Sequence, residues 1–128
     1  MTDATDYLET SILNHFFRNS AVSSPSDIYV ALFTSAPSEA GGGTEVSGNG
    51  YSRQAATFGA PSGGAVTLSS DVTFTALGGG WGTVTHVGVF DALTSGNLLA
   101  WEAVSVEYDI ADGDDYIFQS GNLTITAD

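Results

Sequence analysis

Apolar and polar residues follow three rhythms along this chain, and each predicts a different kind of element. From residue 3 to 18 the rhythm is helical. Leu8, Ile12 and Phe16 recur every four positions, and Leu13 and Phe17 widen the stripe, as an amphipathic helix requires. Asp6 followed by Glu9 has the form of a capping box, Asp3 is an equally good N-cap, and Arg18 falls in the last turn, where a cation suits the helix dipole. This helix is expected to lay its stripe against the rest of the protein. After a loop over Asn19–Ser26, the second rhythm is a continuous apolar run, Ile28 to Phe33, broken by no polar group except the Tyr29 hydroxyl. Such a run predicts a strand buried on both faces. Thr34-Ser-Ala-Pro37 stops it, because proline lacks the amide a sheet needs.

The third rhythm is strict alternation. It begins at Tyr51 after a small, polar excursion over Ser38–Gly50, and predicts a strand to Phe58. Short strands follow at Ala65–Leu68, Val72–Ala76, Val84–Phe90, Leu98–Glu107, Tyr116–Phe118 and Leu123–Thr126. Glycine-rich turns separate them, and Asp91–Asn97 is long enough for a hairpin loop. About seven strands and one N-terminal helix predict a mainly β fold, an antiparallel β-sandwich or barrel. Residues 1–128 read as one domain, with the helix at 3–18 and the β portion at 27–126.

Composition agrees with that class and removes several functions. Charged residues make up only 13% of the 128 positions, and sixteen glycines stand in their place, which disfavours a helical bundle. Two arginines, no lysine and fifteen carboxylates give a net charge of −13. No basic face for nucleic acid can be built from Arg18 and Arg53, and an anionic membrane surface is disfavoured for the same reason. With no cysteine there are no disulfides, thiolate chemistry or zinc–sulfur sites. The start, Met1-Thr-Asp-Ala-Thr-Asp, is acidic where a signal peptide needs a basic region.

Candidate chemistry is sparse. His15 lies beside the helical stripe and His86 in a strand, and no serine–histidine–carboxylate set forms around either. The glycine-rich stretches lack the lysine and spacing of phosphate loops. No catalytic residue and no cofactor is expected. Asp109, Asp112, Asp114 and Asp115 crowd around Gly113, a density of oxygens that suits calcium. An Asp-Gly turn explains the cluster equally well, so these four are only a weak metal candidate. Trp81 is expected to lid the core, although Trp81, Trp101 and Tyr51 could together stack on sugars. Arg53, in mid-strand, is expected to pair with a nearby carboxylate. Within the excursion, Gly41, Gly42, Gly43, Thr44, Glu45 and Val46 are expected to form a flexible arm that docks on a neighbouring subunit.

Several ordered motifs carry a resemblance. Tyr29-Val-Ala-Leu-Phe-Thr-Ser-Ala-Pro, Gly43-Thr-Glu-Val-Ser-Gly, Gly50-Tyr-Ser-Arg-Gln-Ala and Thr57-Phe-Gly-Ala-Pro-Ser are joined by Trp81-Gly-Thr-Val-Thr-His-Val-Gly-Val-Phe-Asp91 and Gly96-Asn-Leu-Leu-Ala-Trp101. With the helix they span nearly the whole chain, which resembles a family of small virion structural proteins of tailed bacteriophages. Sequences of that family are often labelled tail-fibre proteins. The resemblance implies a non-enzymatic virion component, assembled in the bacterial cytoplasm, whose partners are the major capsid protein or other virion proteins. Because no coiled-coil or β-helical shaft is visible, the expected role is a capsid cement or decoration protein, bound to the outside of the shell as a homo-trimer. A tail-fibre or tail-tip component in host attachment is the alternative.

Overall fold

The computed structural model describes residues 3–127. Its centre is β2 (Ile28–Ser35), whose middle residues Val30, Ala31, Leu32 and Phe33 are all buried. Successive side chains of a strand point to opposite faces, and here both faces are covered. Val30 and Leu32 enter a large core, while Ala31 and Phe33 enter a smaller one with Phe90 and Leu98. The strand rhythm over Ile28–Phe33 therefore reads correctly.

β2 pairs along one edge with β7 (Gly82–Phe90). β7 pairs in turn with the long β8 (Leu98–Ile110), and β8 with the short β1 (Asp3–Ala4). The other edge of β2 is shared by β3 (Thr44–Glu45) and β4 (Gln54–Ala56). These six strands form one antiparallel sheet. Two smaller sheets, β5 (Ala65–Thr67) with β10 (Thr124–Thr126) and β6 (Val72–Thr75) with β9 (Asp115–Phe118), supply the other half of the large core. Leu68, Val72, Phe74 and Leu123 meet Val30, Leu32, Val84 and Val89 there.

The fold is thus mainly β and layered, with ten strands among the described residues and no closed barrel. The strands that sequence did not foresee are β1 and β3, each of two residues and too short to leave a rhythm. Gly88 shows how tightly the smaller core is built. A Cβ on it would lie 2.8 Å from both the Phe33 ring and the Leu98 Cδ1 methyl.

The N-terminal helix starts later than its periodicity suggests. α1 spans Asp6–Phe17, with Thr5 as its N-cap, so neither Asp3 nor Asp6 caps it and no capping box forms. Asp3 and Ala4 are instead taken into the sheet opposite Trp101 and Ala100. The fully buried Thr5 joins the two elements. Its hydroxyl donates to the Leu98 carbonyl at 2.6 Å and accepts from the Leu8 amide at 3.4 Å, satisfying one of the helix's free amides. Arg18 is the C-cap and Asn19 follows with φ 54°, a left-handed turn that asparagine tolerates and that ends the helix.

Candidate docking surface

α1 does not do what its stripe predicts. None of its residues is buried. The side it turns toward the body carries Leu8, Ser11 and Asn14, each half-buried and spaced by three. The apolar residues a quarter-turn or more away face solvent: Ile12 is 41% exposed, Leu13 57%, Phe16 70% and Phe17 78%. The helix thus shows its body a partly polar side and water its apolar one, the reverse of an ordinary surface helix. An exposed apolar patch of this kind marks an interaction site. Val22 extends it, because the Val22 amide donates to His15 Nδ1 at 3.1 Å and folds the following loop back along the helix. His15 itself is exposed, with its ring edge-on to Phe16.

Beside the stripe runs a groove of about 570 Å³ between α1 and β10. Ala4, Leu8, Ile12, Leu13 and Ile125 give it an apolar lining, and its charged lining residues are Asp3, Glu9 and Glu39, with no cation among them. Glu39 is brought here by the turn after β2, whose backbone is tied to the start of α1 through the Asp6 amide and the Glu39 carbonyl, 3.0 Å apart.

That turn begins the stretch expected to be a flexible arm, and the structure distributes its residues unevenly. Gly41 closes a tight turn with Ser38, each amide donating to the other's carbonyl at 2.9 Å. Gly43, at φ 74°, presses against Pro37, where a Cβ would come within 2.9 Å of the proline nitrogen. Thr44 and Glu45 are β3, and Val46 is buried in the large core. Gly41 and Gly42 line a cleft with Thr5, Tyr7, Phe90 and Leu98. The stretch is therefore folded onto the body, with its first residues next to α1 and its last in the interior. Small residues and glycines signal a loop, but they do not distinguish one that swings free from one pinned by tight backbone contacts.

Glu45 has a structural task that sequence spacing does not show. Its two oxygens accept from Arg53 Nε at 3.0 Å and Nη2 at 2.9 Å. Nη1 of Arg53 donates to the Ala92 and Ser95 carbonyls, both at 2.8 Å, and the guanidinium carbon lies 3.5 Å from the Phe90 ring centre. The expected pairing of Arg53 is present, and it ties the β3 edge to the Asp91–Asn97 loop. Glu45 also accepts from the Tyr51 hydroxyl at 2.7 Å, and that hydroxyl accepts from the Leu32 amide at 3.1 Å. Burial, helped by the Glu45 carboxylate, holds the Tyr51 phenol well above the usual tyrosine range.

The remaining candidates disperse. Asp114 caps its own turn by accepting from the Ala111 amide at 2.9 Å, Asp112 accepts from the Gly78 amide at 3.0 Å, and Asp115 accepts from the Thr75 hydroxyl at 2.7 Å. Asp109 stands in β8 opposite Thr83. Among the described residues no three His, Asp or Glu side chains converge so as to hold a metal ion. The aspartate cluster is a turn, with Gly113 at φ 85°. Trp81 is buried, donates from Nε1 to the Asn49 carbonyl at 3.0 Å and meets Tyr51 edge to face. Tyr51 and Trp81 share the large core while Trp101 packs on the smaller one, so the three build no common platform. His86 lies beside the Trp101 ring and bonds the Thr85 hydroxyl at 2.8 Å. No helix among the described residues is long and apolar enough to cross a membrane.

Residues 3–126 match the family described as "Podophage GP4 fiber I protein gp80". The chain belongs to this family. No curated protein matches it. The fiber I protein family is a structural one without enzymatic activity, and membership makes the chain a virion component that meets other virion proteins. The capsid-cement expectation is thereby corrected: this is a fibre protein of the phage. That expectation rested on the absence of a shaft. A fibre can be assembled from several polypeptides, so one member without a shaft is no argument against a fibre. Periodicity revealed the stripe of α1 but could not orient it; the structure turns it outward.

Proposed function

We propose that this fiber I protein is a structural subunit of the tail fibre, held in the tail by α1 and the groove beside it. The observation that carries the reading is the outward display of Ile12, Leu13, Phe16 and Phe17 on a helix whose own body covers none of them fully. The tight turn of Gly41, Gly42 and Gly43 lies alongside and forms a rim of the same docking face, while Thr44, Glu45 and Val46 fix that rim to the sheet. Repetition of the docking face around a fibre axis, as in a trimer, is compatible with a stripe on one side of the body.

The other end of the molecule is free for the host. β8 carries the chain from Trp101, beside β1, to Ile110, and the stretch of β7 paired between those points, Gly88 to Gly82, spans about 20 Å at strand rise. The Asp112-Gly113 turn and the Gly78–Gly80 loop lie at that far end. With α1 seated in the tail, these turns point toward the cell surface and serve attachment. Immunogold labelling of intact particles tests the reading. Label at the tail, at a few to a few tens of copies per particle, is expected. Label over the head at hundreds of copies would overturn it.

A further inference from the structure

We infer that the occupant of the α1–β10 groove is an apolar segment flanked by lysine or arginine in a different virion protein, and not a second copy of this chain. This rests on the docking role given to α1 above and adds the chemistry of its partner. The groove offers apolar side chains from both walls, Leu8, Ile12 and Leu13 on the helix and Ile125 on the strand. That is the form in which an amphipathic segment is received, by apolar anchors at helical spacing. The charge around it has one sign. Asp3, Glu9 and Glu39 are its charged lining residues.

A second copy has little to answer them with. Of its two cations, Arg53 is spent on Glu45 and two backbone carbonyls. Arg18 stands at the far end of α1, bonded to Asn14. With fifteen carboxylates against these two, self-association through the groove would oppose carboxylate to carboxylate, an arrangement that suppresses a wrong partner. A basic-apolar segment meets both features at once, since its apolar side chains fill the groove while its cations reach the rim. The stripe presents roughly 500 Å² of apolar surface, short of the roughly 800 Å² that each partner buries in a stable complex. The groove and its rim supply the remainder, so the segment lies across both.

The test uses assembled phage. A benzophenone side chain in place of Leu13, which is more than half exposed, is photo-activated in intact particles, and the adduct is sequenced by mass spectrometry. The expected adduct joins a different virion polypeptide at a segment with two or more Lys or Arg beside apolar residues. An adduct with a second copy of this chain, with an acidic or uncharged segment, or with nothing would overturn the inference. In parallel, Glu9→Lys/Glu39→Lys is expected to lower incorporation into particles at least tenfold, and Glu9→Gln/Glu39→Gln by less. Glu107→Lys/Asp109→Lys, a control of equal charge on β8, should stay within twofold of the parent. Equal losses in the rim and control pairs would reduce the effect to general electrostatics and sink the inference. Both pairs must melt within a few degrees of the parent for the comparison to count, and the neutral pair serves if the reversed one does not. Head labelling in the immunogold experiment would refute the tail-fibre reading alone, because the adduct reports the partner's chemistry wherever the particle holds it.

Discussion

Replacing Phe16 and Phe17 together by serine separates docking from folding. The two rings are 70% and 78% exposed, and no residue of α1 is buried. Removing them therefore withdraws little from the folded body. Phenylalanine and serine also have similar helix propensities, so the cost to stability should stay below about 0.5 kcal/mol. For a domain of this size that is a shift of at most about 2 °C in melting temperature. Docking is another matter. Two phenylalanines present roughly 300 Å² of apolar surface, which at about 25 cal/mol per Å² gives an upper bound of about 7 kcal/mol. Incomplete burial and the ordering of the partner reduce the realised loss to about 3 kcal/mol, or roughly 150-fold in affinity. The purified variant is melted by circular dichroism. Its occupancy on particles is then measured by quantitative mass spectrometry against the parent expressed in the same cells. A melting temperature lowered by about ten degrees with particle occupancy unchanged would refute the reasoning, because it would make the stripe part of the fold.

Three further predictions concern the body. Glu45→Ala leaves the nearly buried Arg53 guanidinium without its carboxylate and should cost about 3 kcal/mol in urea unfolding; a loss under about 1 kcal/mol would show the pair to be ornamental. Gly88→Ala should cost about 1–3 kcal/mol by forcing a methyl into the Phe33 ring and Leu98, and an unchanged melting temperature would show that the smaller core can give way. Tyr51→Phe should be less stable than the parent by about 1–2 kcal/mol at pH 8, because the Leu32 amide and Glu45 lose a partner. The Tyr51 phenol stays protonated in the fold to higher pH than in the unfolded chain. The stability it confers is thus complete below the ordinary tyrosine value of about 10 and falls as pH rises beyond it. The gap between parent and Tyr51→Phe should then narrow between about pH 10 and 11. A constant gap in urea titrations across that range would contradict the assignment.

Where sequence rhythm coincided with burial, the fold was legible. Ile28–Phe33 is apolar at every position because both faces of β2 are covered, and Val72 and Phe74 alternate with threonines because one face of β6 is wet. Sequence misled where a tertiary partner decided the local state. Asp3 and Ala4 look like a helix start, but β8 takes them into the sheet and leaves Thr5 to cap. The division of the strands into one large and two small sheets depends on which edges meet, and periodicity carries no information about edges. The candidate site was legible in part. Its apolar stripe was visible, but periodicity gives the width of a stripe and not the object it faces. Glu39 gave no signal at all, since its place on the rim follows from a single backbone hydrogen bond to Asp6 across the fold.

The groove has a topological consequence. Asp3 and Ala4, near one end of the chain, and Ile125, Thr126 and Ala127, near the other, border the same cavity. A bulky group carried on Asp3, Ala4 or Ala127 would therefore stand beside the groove and compete sterically with whatever it receives.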